Sequence, residues 1–159
     1  MRLTTLCYIE QNGKYLMLYR CKKEKDANKG KWIGIGGGFL DGESPEDCLV
    51  REVREETGLT LTKWKFRGIV TFASDKWESE YMHLFTATEF SGELTADCNE
   101  GELAWVDKSK LSSLPMWEGD RIFLELINTD EEFFSLKLSY TDEKLSQAYK
   151  NGVQIKFED

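Results

Sequence analysis

Between residues 36 and 58 the chain runs through Gly36-Gly37-Gly38-Phe39, a short polar stretch, and then a segment that opens on Ser44-Pro45 and closes on Gly58. No other stretch constrains the fold as tightly. Ser44 has the residue type of a helix N-cap, Pro45 suits the first helical position, and Asp47 is placed to complete an approximate capping box. Gly58 tolerates the left-handed conformation that commonly ends a helix, so a helix is expected from Ser44 to Thr57. On it Glu52, Glu55 and Glu56 fall at i, i+3 and i+4, on one face and within reach of a common point. Like charges so placed repel by roughly a few tenths of a kcal/mol per exposed pair, of which the neighbouring Arg51 relieves only part. Two readings follow: a solvated acidic face, or a site for a hard cation such as Mg²⁺ or Mn²⁺, which prefers several oxygen ligands.

Composition narrows the classes of partner. A chain of 159 residues is the size of one ordinary domain, and with no repeat or linker visible, residues 1–159 are expected to form a single domain. The formal net charge of −8 argues against broad binding to DNA or RNA, which needs a basic face. It leaves room for a small phosphorylated ligand if divalent cations neutralise both sides. Four cysteines, Cys7, Cys21, Cys48 and Cys98, are scattered without a C-x-x-C pair, and a single histidine makes zinc a poor candidate. The N-terminus alternates like a strand, and no stretch approaches a membrane span. A cytoplasmic protein with reduced cysteines, a monomer or a homodimer, is expected.

Around the central helix the patterning predicts mostly strands. Thr4–Glu10 and Lys14–Tyr19 flank Gln11-Asn12-Gly13, a hairpin signal. Further strands are expected at Lys65–Ala73, Tyr81–Glu89, Leu103–Val106, Phe133–Tyr140 and Val153–Phe157, a short helical turn at Lys108–Ser113, and a helix over Glu118–Asn128. The interleaving indicates a mixed α/β or α+β layered fold. Trp64, Phe66 and Phe72 are expected in the core, and His83, within an alternating strand, in a packing or surface role rather than catalysis.

The intervals around the glutamates decide between the two readings. Gly37 is followed by five residues and Glu43, and seven more lead to Arg51-Glu52-Val53-Arg54-Glu55-Glu56-Thr57-Gly58-Leu59. A solvated acidic face has no reason to carry the glycines, the arginine and the separate Glu43 at these spacings. The pattern is similar at every fixed position to the Nudix box, G-x5-E-x7-R-E-U-x-E-E-x-G-U with U aliphatic. No dinucleotide fingerprint competes, since Phe39 stands where its last glycine belongs, and no P-loop is present. Gly30-Lys31-Trp32, Asn99-Glu100 and Pro115 through Asp120 also resemble the MutT/MutX-type branch of that family.

The resemblance implies the Nudix fold, a mixed sheet sandwiched between helices with the box as loop–helix–loop. It implies Mg²⁺-dependent hydrolysis of a nucleoside triphosphate, notably 8-oxo-dGTP, to the monophosphate and pyrophosphate, in the service of nucleotide pool sanitation and DNA repair. Position by position, the Gly36 carbonyl, Glu52, Glu55, Glu56 and, from a separate loop, Glu100 would be metal ligands. Glu52 is also the candidate general base, Arg51 orients the acid cluster, Glu43 ties loop to helix, and Gly58 ends the helix. Gly37, Gly38 and Arg20 lie where phosphate contacts are expected, Trp117 matches an aromatic that stacks on the purine, and Asp120 an acid that bonds its edge. Three departures bear on base and phosphate recognition: Ile33 replaces a base-contacting asparagine, Gly119 one of two paired acids, and Gly38 a frequent lysine. Nudix enzymes acting on ADP-ribose or dinucleotide polyphosphates are the alternative. They commonly carry a proline or a tyrosine soon after the box, whereas the first of each here are Pro115 and Tyr81. A catalytically silent nucleotide-binding module is disfavoured by the complete acid cluster.

Overall fold

Alternation of apolar residues along β1 (Arg2–Gln11) and β2 (Lys14–Tyr19) puts Leu6, Tyr8, Tyr15 and Met17 on one face and Cys7, Ile9, Leu16 and Leu18 on the other. Both faces are buried, so these strands must sit in the middle of a layered structure. In the computed structural model, which describes residues 1–95 and 98–157, they do. The hairpin turn uses Asn12 and Gly13 at φ 53° and 74°, the left-handed pair that a two-residue loop between twisted strands requires.

β1 stays paired to β2 only near the turn, from Ile9↔Leu16 to Gln11↔Lys14. Beyond that the strands part. β3 (Trp32–Ile33) adds to β2, and β4 (Ile35–Gly38) pairs antiparallel with β1 from Thr4↔Gly38 to Cys7↔Ile35. The glycine run therefore emerges from the middle of the sheet at this fork. α1 (Pro45–Thr57) follows, capped by Ser44 with the full reciprocal box to Asp47 and ended by Gly58 at φ 81°, whose N–H donates to the Arg54 carbonyl at 2.9 Å. A Cβ at 58 would also approach the Glu93 carbonyl to 2.8 Å, so glycine is required there on two counts.

β5 (Thr60–Ser74), β6 (Glu80–Ser91) and β7 (Glu102–Asp107) come next, then a 3₁₀ turn at Lys108–Ser113 and α2 (Glu118–Asn128). The chain closes with β8 (Phe134–Thr141), β9 (Lys144–Lys150) and β10 (Val153–Ile155). Among the described residues all ten strands join one sheet, in which β1–β6 and β5–β8 run parallel and the other pairs antiparallel. α1 buries Leu49 and Val53 against one face, and α2 buries Phe123, Leu124 and Ile127 against the other. Each such side chain contributes about 1.5–3 kcal/mol by leaving water. The expected mixed sheet between helices is thus the observed fold.

Four local expectations are corrected. The run after Trp32 forms two short strands where no element had been assigned. β9 was not anticipated, because its turn at Asp142 and Glu143 takes φ of 50° and 65° without the Asn-Gly or Asp-Gly that usually signals it. The last expected strand is shorter, ending at Ile155 rather than Phe157. Trp64 is 38% exposed on β5 and not in the core, whereas Phe66 and Phe72 do pack against it. Among the described residues no helix is long and apolar enough to cross a membrane.

Candidate active site

With its apolar stripe committed to the sheet, α1 turns Glu52 and Glu56 toward the glycine strand β4, across the fork between β1 and β2. There a cleft of about 550 Å³ opens, bordered at one end by Gly36–Gly38, Glu52, Glu56, Arg20 and Glu100, and at the other by Phe72, Trp117, Asp120, Leu138 and Tyr140. Residues separated by more than a hundred positions in sequence meet there because β1, β4, β5, β8 and the start of α2 all contribute to the lining of the cleft.

The acid end is crowded. A Cβ on Gly37 would fall 2.5 Å from the Glu52 carboxyl carbon and one of its oxygens, so only glycine leaves that carboxylate its place. The Glu56 carboxylate accepts from the Gly36 N–H at 3.2 Å. Burial, reinforced by the charges of Glu52 and Glu100, pushes its pKa up to about 8 against the opposing pull of the Gly36 N–H and Arg20. Arg51 is the hub that organises the rest. It donates to Glu52 Oε1 at 2.8 Å, to Glu55 Oε2 at 3.1 Å, to the Gly38 carbonyl at 2.9 Å, and twice to Glu43. Those bonds, with the Leu40 N–H, hold the Glu43 carboxyl down at about 2. Glu43 is thus tied to the middle of the helix, and Gly58 stands at its end.

Glu100 approaches from the loop before β7, held by Arg20 Nη2 at 3.1 Å and Lys23 Nζ at 2.9 Å, while Arg20 Nε also grips Asp26 at 2.8 Å. Sequence reasoning flagged Arg20 and missed Lys23 and Asp26. The lysine-rich run that follows Arg20 was the available signal.

Glu55 departs from the expected convergence. It is 60% exposed and does not line the cleft, although it shares the face of Glu52 and Glu56. Among the described residues no three acidic, cysteine or histidine side chains are gathered into a group able to hold an ion. The reason is local: each carboxylate already has a partner, Arg51 for Glu52 and Glu55, Gly36 for Glu56, Arg20 and Lys23 for Glu100. The donor set nevertheless fits a hard cation, since Glu52, Glu56 and Glu100 offer oxygen ligands in one cleft and Gly37 keeps the space beside Glu52 clear.

At the other end Trp117 is 5% exposed, its Nε1–H bonded to Asn28 Oδ1 at 2.8 Å, its ring edge-on to Phe72 and Tyr140, with the Lys31 ammonium 4.4 Å from its centroid. It is a packing residue and a cleft wall at once. Asp120, 6% exposed in the first turn of α2, accepts no side-chain hydrogen bond among the described residues. Burial pushes its carboxyl up to about 7, with Arg121 and Lys31 opposing. Nearby, the buried Tyr8 hydroxyl has no hydrogen-bond partner among the described residues, and burial followed by the Asp120 charge raises its pKa. Ile33 lines the same cleft. Asn28, Leu138 and Tyr140 were not anticipated; the two hairpin residues lie some twenty positions beyond the nearest motif and carried no local signal.

The NUDIX domain model matches residues 1–127. An uncharacterized Nudix hydrolase of Bacillus subtilis is 30% identical over 158 residues, covering 97% of this chain and 96% of that one. The oxidized purine nucleoside triphosphate hydrolase of Danio rerio is 32% identical over 134 residues, 83% of each chain. The crystal structure of a MutT protein from Bacillus halodurans superposes with a TM-score of 0.83 at 27% identity, covering 95% of this chain and 98% of that one. A family match over most of the chain, on a loop–helix–loop whose glycines, arginine and glutamates stand in the arrangement described above, makes this protein a member of the Nudix hydrolase family.

Proposed function

We propose that this protein is a Mg²⁺-dependent nucleoside triphosphate pyrophosphohydrolase that cleaves a purine deoxynucleotide such as 8-oxo-dGTP to its monophosphate and pyrophosphate. One observation carries the reading: a single cleft joins carboxylates suited to the cations that accompany phosphates, Glu52, Glu56 and Glu100, to an apolar end with a buried acid, Trp117 and Asp120, suited to a base. The name of the Danio rerio relative points the same way. Mn²⁺ is the natural substitute ion, and a reducing cytoplasm is the natural setting for four free cysteines.

Glu52, Glu56, Glu100 and the Gly36 carbonyl would hold the ion, with Glu55 joining from the rim. Bound there, it supplies positive charge to the phosphate oxygens and lowers the pKa of a bound water. Glu52 would take the proton of the attacking water as its oxygen bonds to phosphorus and the anhydride bond between the α- and β-phosphates breaks, so that the nucleoside monophosphate and pyrophosphate part. Arg51, bonded to Glu52 and to the Gly38 carbonyl, fixes the base relative to the glycine strand. Arg20 and Lys23, now engaged by Glu100, stand where a triphosphate would meet them, and the backbone at Gly37 and Gly38 can approach the phosphates closely. Trp117 and Asp120 hold the base, with Ile33 as a nonpolar wall.

A Mg²⁺-dependent hydrolysis panel of 8-oxo-dGTP, unmodified dNTPs, ADP-ribose and diadenosine polyphosphates tests this. A higher kcat/KM for 8-oxo-dGTP than for dGTP is expected. Equal values would remove the sanitation role, and preference for ADP-ribose or a dinucleotide would reassign the substrate. Glu52→Gln should lower kcat by on the order of 10²–10⁴-fold with the fold retained.

A further inference from the structure

α2 begins without a side-chain cap on its first turn, because Trp117 occupies the N-cap position. The helix donor that would otherwise be left over, the Gly119 N–H, is taken by the hydroxyl of Tyr140 at 2.8 Å, from the neighbouring strand β8. The fit excludes any side chain at 119. A Cβ there would lie 2.5 Å from the Tyr140 hydroxyl and would collide with Leu138. The phenol therefore fills the space that a side chain at position 119 would use, beside Asp120 and at the base end of the cleft.

Tyr140 is 3% exposed and its ring is fixed, edge-on to Trp117 at 4.9 Å and tilted against Phe72 at 5.3 Å. Its oxygen spends acceptor capacity on Gly119, which leaves the O–H as a donor, and no described residue accepts that proton. Asp120, also buried and lining the same cleft, has no hydrogen-bond donor on its carboxyl among the described residues. Two buried polar groups left open toward one cavity call for a ligand that satisfies both. β8 also lies outside the 1–127 stretch matched by the family model, so the donor belongs to the C-terminal hairpin.

We propose that Tyr140 is a specificity-determining residue whose hydroxyl donates to the exocyclic carbonyl of a 6-oxopurine while Asp120 meets the adjoining ring N–H, an arrangement that Gly119 makes room for. This rests on the placement of the base between Trp117 and Asp120 under the proposed function. An adenine base presents an amino group where the carbonyl would be, and that group cannot accept from the phenol.

Calorimetric titration of the whole protein with dGMP, dIMP and dAMP tests the idea without requiring turnover. The wild type should bind dGMP and dIMP more tightly than dAMP. Tyr140→Phe should weaken the two 6-oxopurine nucleotides about tenfold, leave dAMP unchanged, and so erase the preference. Gly119→Ala, which keeps the phenol but displaces it, should lose the preference as well. In steady-state kinetics the Tyr140→Phe loss should appear in KM for dGTP rather than in kcat. A hydroxyl that merely caps Gly119 would lower thermal stability and shift all three nucleotides by the same factor or not at all, and either result would overturn the proposal. Trp117→Ala separates the two levels of inference. If it weakens every nucleotide while Tyr140→Phe spares the preference, only the role of Tyr140 fails. If it weakens none, the placement of the base fails, and the role of Tyr140 with it.

Discussion

Arg51 grips Glu43 with two hydrogen bonds, Nε to Oε2 at 2.7 Å and Nη2 to Oε1 at 2.8 Å, and so ties the loop before α1 to the middle of the helix. The same guanidinium reaches Glu52 and the Gly38 carbonyl, so the loop, the glycine strand and the expected catalytic base share one organiser. Lysine offers a single charged head and cannot reproduce the fork.

Arg51→Lys should therefore lower kcat by tenfold or more and reduce the melting temperature. Glu43→Gln should lower stability with a smaller loss of turnover, because Glu52 keeps its own bond to Arg51. Glu43 also has a pH signature. Its carboxyl is held down at about 2, below its ordinary 4.5, so the stability it adds is present above pH 4.5 and is lost as pH falls toward 2. Urea denaturation at pH 3 and pH 6 should show a smaller difference for Glu43→Gln than for the wild type; an equal difference would remove the linkage.

Adjacent glycines should fail in different ways. At Gly37 an added methyl meets the Glu52 carboxylate, the end of a flexible side chain, so Gly37→Ala should fold normally and lose activity by displacing the base. At Gly36 the methyl meets the Thr5 carbonyl of the paired strand β1, which cannot move without opening the sheet. Gly36→Ala should cost about 1–3 kcal/mol or prevent folding. Thermal melts alongside kcat distinguish the two outcomes. A Gly37→Ala protein as active as the wild type would show that Glu52 does not work from this position.

How much of this was legible beforehand depends on the range of each contact. The Ser44 cap, the Gly58 stop, the Glu43–Arg51 tie and the carboxylate face of α1 all lie within about fifteen residues of one another, where spacing alone fixes geometry. His83, expected in a packing or surface role, lies with its Nδ1 2.9 Å from the Thr4 carbonyl, a contact across 79 positions that alternation does not specify. What spacing does not encode is the pairing of distant segments. Asn28 under the Trp117 indole and Tyr140 on Gly119 arise from strand order in the sheet, which local patterns leave open. Glu55 stands apart from Glu52 and Glu56 for another reason: helical periodicity gives a face about a third of the helix wide, and Glu55, paired with Arg51, lies at its exposed edge.

Glu56 predicts a coupling between pH and metal. In the metal-free protein its pKa of about 8, raised from 4.5, means that the folded state binds a proton more strongly than the unfolded chain. Its contribution to stability is then fullest below pH 4.5 and declines as pH rises to 8. A cation ligated by this carboxylate must displace the proton, so Mg²⁺ binding at pH 7 should release protons and tighten as pH increases toward 8. Glu56→Gln should flatten the pH dependence of stability in chelator and abolish the proton release. Calorimetry in buffers of different ionisation enthalpy measures the release directly, and its absence in the wild type would separate Glu56 from the metal.

Asp120 presents the same physics at the base end, where no cation is expected. Its carboxyl is raised from 3.8 to about 7 by burial, so its charge opposes folding increasingly from pH 3.8 upward and the effect levels off above pH 7, with a total of about 4 kcal/mol. Asp120→Asn removes that slope. In the absence of nucleotide it should be more stable than the wild type at pH 8 and lose more than half of that advantage by pH 5. Binding should move the opposite way, because only the aspartate changes from donor to acceptor as it ionises. The wild-type affinity for dGMP should therefore vary through pH 7, and that of Asp120→Asn should be weaker and flat across the same range. Stability curves that run parallel for the two proteins from pH 5 to pH 8 would mean that Asp120 is solvated in the folded state. The base end of the cleft would then lack the buried acid on which its selectivity depends.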